Sequence, residues 1–258
     1  MRVAAVQFKP TKATAPAIKS ENLRRLVELT RQARGAELVV LPEMAATGYV
    51  FSGPEAVRPV AEVAAEGETL AALAPLAREL GAWVVAGLPE VAGDRLFNSA
   101  LVLDPSGGLA FVYRKTLLYE ADLPWATPGD SGYRTFDAEG GDFGVGICMD
   151  LNDDAFTSWL AQRAPRAVAF PTNWVSPDQP RPHDPWPYWA WRLDRARVAL
   201  VAANTWGPDE GVLFTGVSAV LDRVDGRAVI LAAAGATGDG VISCVLPPRP
   251  APSLTGRR

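Results

Sequence analysis

Arg2 to Phe8 alternates, with Val3, Ala5 and Gln7 on one face and Ala4, Val6 and Phe8 on the other. That period predicts a strand, closed by Pro10. Leu23, Leu26, Val27 and Thr30 then recur at helical spacing behind Ser20, a candidate N-cap, and Gly35 ends the helix. Leu38-Val39-Val40-Leu41 is apolar throughout, the pattern of a strand buried on both faces, and it stops at Pro42-Glu43. The order strand, helix, strand predicts an α/β sheet.

Leu70, Leu73, Leu76 and Leu80 predict a helix over 68–80 with Pro75 inside it, followed by a strand at 82–87. Runs 98–103 and 109–114 read as a hairpin about Asp104-Pro105-Ser106-Gly107-Gly108, and the second ends at Arg114-Lys115. Segments 133–136 and 142–148 pair about Glu139-Gly140-Gly141. The second of them is an apolar run that stops at Cys148 and gives way to Asp150, Asn152, Asp153 and Asp154. A helix at 155–163 leads to an apolar strand, 167–171, that runs into Thr172-Asn173-Trp174. After a proline-rich stretch come a helix at 189–198 and strands at 200–204, 215–221, 229–233 and 240–246. Neither a linker nor a repeat interrupts the pattern, so a single domain over 1–247 and a tail over 248–258 are expected.

Composition narrows the chemistry. The net charge of −4 gives no general attraction to nucleic acid or an anionic membrane. No apolar run approaches the roughly 18–20 residues of a membrane span. Met1-Arg2 leads straight into a strand, so no signal peptide is expected and a reducing cytoplasm is the expected location. The cysteines are Cys148 and Cys244, and nothing indicates a disulfide scaffold. The single histidine, His183, leaves too few scattered ligands for a zinc site, so no metal is expected. A cysteine–histidine scheme would have to use His183, which lies near prolines and reads as a loop residue.

Three apolar strands thus end in polar residues, at Glu43, at Cys148 and at Asn173-Trp174, and a fourth ends at Lys115. Open α/β sheets place ligands at such an edge. Gathered at one rim, Cys148 would be a nucleophile, Glu43 its proton acceptor and Lys115 a stabiliser of developing charge. A thiol of lowered pKa, labelled quickly by iodoacetamide, is then expected. Taken singly, each has a plainer reading: Cys148 as a small core residue, Glu43 as a loop carboxylate, Lys115 as a solvated strand end.

In order, Leu41-Pro42-Glu43-Met44 with Thr47-Gly48-Tyr49, Tyr113-Arg114-Lys115-Thr116, and Gly146-Ile147-Cys148-Met149-Asp150 resemble the nitrilase superfamily of carbon–nitrogen hydrolases. The resemblance covers the chain from its first strand to its last. It implies an αββα four-layer sandwich, a Glu43–Lys115–Cys148 triad, a thioester intermediate, no cofactor and a homodimer. It also implies an assisting acid after the lysine, for which Glu120 is the candidate and Asp122 the rival, and a pocket lined by Tyr49, Met149, Asp150, Asn173 and Trp174. Residues 114–120 and 146–152 are similar to protein N-terminal asparagine/glutamine amidases. True nitrilases carry Cys-Trp-Glu where this chain has Cys148-Met149-Asp150, which favours an amide substrate. Asp150, Glu120 and Asp122 are then candidates to hold a substrate ammonium, as an α-amino amide or an N-terminal Asn or Gln would require. Small-molecule amidases, N-carbamoyl hydrolases, nitrilases and a non-catalytic binding member of the same fold remain the alternatives.

Overall fold

The computed structural model describes residues 1–139, 141–175 and 184–248. The expectations placed on His183 and on the tail from 249 lie outside the described residues. In chain order the elements are β1 (Arg2–Gln7), α1 (Pro16–Thr30), β2 (Leu38–Val40), α2 (Pro54–Val57), α3 (Glu68–Leu80), β3 (Trp83–Ala92), β4 (Arg95–Leu103) and β5 (Leu109–Arg114). There follow β6 (Thr135–Ala138), β7 (Gly141–Val145), α4 (Asp154–Arg163), β8 (Ala167–Thr172), α5 (Trp186–Arg192) and β9 (Ala199–Asn204). The chain closes with β10 (Trp206–Asp209), β11 (Val212–Thr215), β12 (Ala219–Val224), β13 (Arg227–Ala233) and β14 (Gly240–Val245).

These strands form two six-stranded sheets, ordered β14-β1-β2-β3-β4-β5 and β13-β12-β9-β8-β7-β6, beside a β10–β11 hairpin. Strands β1, β2 and β3 run parallel, as do β7, β8 and β9, and the other pairs within each sheet are antiparallel.

Strand alternation sorts side chains into layers. Val3, Ala5, Leu38 and Val40 of the first sheet share one core with Phe143, Val145, Ala167 and Ala199 of the second. Ala4, Val6 and Val39 turn the other way, onto Leu26 of α1 and Leu73 and Leu76 of α3. Val168, Phe170 and Leu200 pack on Phe156 and Leu160 of α4 and Trp189 of α5. The result is helix, sheet, sheet, helix, the four-layer sandwich. A fully buried leucine in these layers, such as Leu26, costs about 2–5 kcal/mol to truncate to alanine. No helix among the described residues is long and apolar enough to cross a membrane.

Local departures have local causes. Helix α1 begins at Pro16, not at Ser20, because a proline suits the first helical position, where its missing N–H costs nothing. The Ser20 hydroxyl donates back to the Pro16 carbonyl at 3.0 Å. Helix α3 carries Pro75 within it and ends at Gly81, whose φ of 62° is left-handed. Helix α5 spans 186–192, earlier than the 189–198 expected. The β10–β11 hairpin was not foreseen, since its four-residue strands include Gly207-Pro208.

Candidate active site

The parallel strands deliver the site. After β2 the chain turns through Pro42 to Glu43, and Met44 takes a positive φ of 50°. The turn fits because Gly87 faces it without a side chain: a Cβ there would lie 2.5 Å from the Glu43 Cα. After β7 the chain reaches Cys148, the first residue of a 3-10 turn (Cys148–Asn152), at a φ of 42°. A non-glycine residue held in that region is strained, and such strain collects at functional sites. Strand β5 ends at Lys115 and β8 at Thr172 and Asn173.

Glu43, Lys115 and Asp122 are buried and locked together. Lys115 Nζ donates to Glu43 Oε1 at 2.7 Å, to Asp122 Oδ2 at 2.6 Å and to the Tyr49 hydroxyl at 3.2 Å. Its three protons are thereby engaged. Glu43 Oε2 accepts from the Asn173 backbone N–H at 2.7 Å. Asn98 Nδ2 donates to both carboxylates, at 2.7 Å to Glu43 Oε1 and 3.0 Å to Asp122 Oδ1. Tyr49 OH and the Tyr119 N–H complete Asp122 at 3.1 and 2.9 Å.

Two carboxylates around one ammonium leave the cluster one negative charge in excess, and this sets its protonation. Burial alone would lower Lys115, but Asp122 and then Glu43 more than reverse it, so the ammonium persists far above its usual range. Burial raises Glu43 above the ordinary 4.5; Lys115 opposes this, Asp122 adds to it, and the net direction is upward. Burial also pushes the Cys148 thiol up, and the Glu43 charge pushes it further. Lys115, the Thr172 hydroxyl and the Asn173 amide do not offset them. The expected thiol of lowered pKa is therefore not what this site holds at rest. It holds a neutral thiol beside a charged base.

The assisting acid falls to the rival. Glu120 is exposed, whereas Asp122, two residues on, is buried against Lys115. The pair separates cleanly in kinetics: Asp122→Asn should lower kcat/KM by about 10²-fold or more, and Glu120→Gln should change it less than about 3-fold. Equal losses in the two variants would contradict this assignment.

Asp150 is a correction. Expected in the pocket as a partner for a substrate ammonium, it is fully buried with both oxygens occupied. Oδ1 accepts from the Thr116 N–H (2.8 Å), the Thr116 hydroxyl (2.7 Å) and the Leu117 N–H (2.9 Å), and Oδ2 from the Tyr113 hydroxyl (2.8 Å) and the Ile147 N–H (2.9 Å). It ties the chain just after Lys115 to the residue just before Cys148. Asp150→Ala would leave those donors without an acceptor, at about 1–3 kcal/mol each where none is recovered from water. Thermal unfolding is expected to show a loss of several kcal/mol, and a variant as stable as wild type would show that the tie is redundant.

Tyr49 reaches the cluster through its hydroxyl and packs its ring on Tyr119 and Phe214. Asn173 is buried and bonded to Glu43 through its backbone, while its side-chain Oδ1 has no partner. Trp174 is half-buried against Trp189 and Tyr188, with its N–H on Asn204 Oδ1 at 2.9 Å. Met149 is half-buried, and its sulfur accepts from Asn152 Nδ2 at 2.9 Å. Cys244 is a free thiol, as is Cys148. Asn98 was missed. Its signal was present as the pair Asn98-Ser99 within an otherwise apolar strand, and both residues are buried.

Comparison with known proteins agrees with this geometry. The carbon-nitrogen hydrolase family model matches residues 2–247. A nitrilase of Pyrococcus abyssi is 34% identical over 241 residues, covering 93% of this chain and 87% of the relative. A protein N-terminal amidase of Schizosaccharomyces pombe is 25% identical over 288 residues, covering 94% and 98%. Among solved structures, the amidase of Nesterenkonia sp. AN1 superposes with a TM-score of 0.76 at 23% identity, covering 96% of this chain and 93% of that one. The chain belongs to the carbon-nitrogen hydrolase family of the nitrilase superfamily, enzymes that act on carbon–nitrogen bonds other than peptide bonds.

Proposed function

We propose that this chain is a cysteine-dependent amidase that hydrolyses a primary carboxamide through a thioester and releases ammonia. The observation that carries the reading is the buried Glu43–Lys115 pair, 2.7 Å apart, set beside a strained Cys148. As Cys148 Sγ attacks the amide carbonyl, its proton passes to Glu43, whose raised pKa suits a general base. The carbonyl oxygen becomes an oxyanion, stabilised by Lys115 and by the backbone N–H of Met149 just after the nucleophile. The C–N bond then breaks, Glu43 returns the proton to the leaving nitrogen, and ammonia departs. Water enters, gives a proton to Glu43 and attacks the thioester. The second intermediate collapses to the carboxylic acid, and the sulfur recovers its proton from Glu43.

Asp122 and Asn98 are positioning residues in this scheme. Asp122 holds the Lys115 ammonium from the side away from Glu43, and Asn98 holds the two carboxylates in register. The amide preference is supported by Met149-Asp150 after the cysteine, where true nitrilases carry Trp-Glu. The Nesterenkonia amidase lends chemical support, since its active-site cysteine undergoes Michael addition to acrylamide.

Ammonia release tests the reading across asparagine and glutamine amides, peptides with N-terminal Asn, aliphatic amides, N-carbamoyl amino acids and nitriles. Turnover of at least one primary amide, at a higher kcat/KM than any nitrile or carbamoyl compound, is expected. Turnover confined to nitriles or to carbamoyl compounds would overturn the amide assignment.

A further inference from the structure

Beside the catalytic cluster lies a cavity of about 160 Å3, walled by Lys9, Lys12, Tyr49, Asn173, Trp206 and Asp209 among others. Tyr49 and Asn173 are the residues that touch Lys115 and Glu43, so the cavity adjoins the reacting centre. Its other walls come from the loop after β1 and from the β10–β11 hairpin. It is smaller than the roughly 300–1,000 Å3 of drug-sized ligand sites, which suits a short acyl chain.

The charge on these walls is not balanced. Asp209 is the one carboxylate among the lining residues, and its Oδ2 is already engaged. It accepts from the Tyr49 N–H at 3.0 Å and the Val50 N–H at 3.3 Å, and it lies 3.6 Å from Lys12 Nζ. Lys12 also donates to the Val50 carbonyl, so this ion pair serves to hold the strand of chain that carries Tyr49. Lys9 has no such counter-ion. Its ammonium sits 5.2 Å from the centroid of the Trp206 ring, and no carboxylate pairs with it among the described residues. Gly207 makes room for it, because a Cβ there would come 2.8 Å from Lys9 Nζ. The cavity wall therefore carries two ammonium groups against one committed carboxylate. A half-buried cation without a partner favours an anionic ligand group.

Resting on the amidase reading, we infer that this cavity is the subsite for a carboxylate on the acyl chain, so that the preferred substrates are monoamides of short dicarboxylic acids. The amide lies at Cys148 and the far carboxylate at Lys9, with Lys12 beside it. The same charge pattern disfavours a substrate ammonium, whose natural partner, Asp209, is in use.

The experiment compares kcat/KM for ammonia release from three amides of similar length: glutaramate, with a carboxylate; pentanamide, neutral; and 4-aminobutanamide, with an ammonium. In the wild type glutaramate is expected to be best and 4-aminobutanamide worst. In Lys9→Glu the glutaramate-to-pentanamide ratio is expected to fall by roughly 10- to 100-fold, the scale of one charge-assisted hydrogen bond, with Lys9→Gln intermediate. Titration calorimetry with glutarate reads the subsite apart from turnover. Lys9-dependent glutarate binding without ammonia release from any amide would retain the subsite and remove the amidase reading. A wild-type ratio at or below one, or a ratio and glutarate affinity unchanged in Lys9→Glu, would overturn the subsite.

Discussion

Cys148→Ala is expected to lower ammonia release by about 10⁴-fold or more, the scale seen when a covalent nucleophile is removed. The fold should barely notice. Cys148 packs in the inter-sheet core at 7% exposure, and alanine is smaller by one sulfur atom. The loss in stability should stay within about 1 kcal/mol. Cys244→Ala, on β14 and outside the cluster, should leave turnover unchanged and serves as the control. The protonation pattern adds a second signature. Because Glu43 must be ionised to accept the thiol proton and its pKa is raised, the acid limb of kcat/KM should lie above pH 4.5, and rate should fall as pH drops through it. Because the resting thiol is held up by burial and by Glu43, iodoacetamide should label Cys148 slowly near neutral pH and faster as pH rises. Activity retained in Cys148→Ala would end the mechanism. Rapid labelling at pH 7 would instead show a resting thiolate, and Glu43 would then lose its part in the first proton transfer.

Much of this was legible from the chain. Strands buried on both faces read as unbroken apolar runs, so the polar residues that end them, Glu43, Cys148 and Asn173, stand out. Parallel pairing then carries these ends to one edge. Other parts depended on information that sequence spacing does not hold. Glu120 and Asp122 are two residues apart in a loop, and only its turn decides that Asp122 folds under Lys115 while Glu120 points to solvent. Asp150 looks like a substrate contact because it follows the nucleophile so closely. The donors that occupy it come mostly from 113–117, more than thirty positions away, and no local pattern shows them. The direction of the thiol's pKa likewise needed the count of charges in the cluster. A lysine near a cysteine suggests a thiolate until two carboxylates are found to share that lysine.

Lys115→Met should cost both stability and activity, for a reason that separates it from the nucleophile. Lys115 is fully buried, and its ammonium is the one cation bonded to both Glu43 and Asp122. Without it two buried carboxylates face each other across Asn98, which can give each one only a single N–H. Removing one partner of a buried ionic network costs about 3–5 kcal/mol, or roughly 6–20 °C in melting temperature for a chain of this size. Part of that penalty is relieved by protonation. One carboxyl of the pair should take up a proton near neutral pH, because like charges at this range cannot both ionise in a buried site. The sign follows: if the variant's remaining carboxyl binds a proton when folded that it lacks when unfolded, stability is retained at low pH and lost as pH rises through the raised pKa. Thermal melts from pH 5 to pH 9 should therefore show the deficit of Lys115→Met relative to wild type widening with pH, with kcat/KM reduced throughout. Lys115→Met, Asp122→Asn together should recover stability by removing one of the two like charges, and should not recover turnover, since the group that stabilises the oxyanion is still missing. A double variant as unstable as the single one would mean that Asp122 is not the charge that Lys115 offsets.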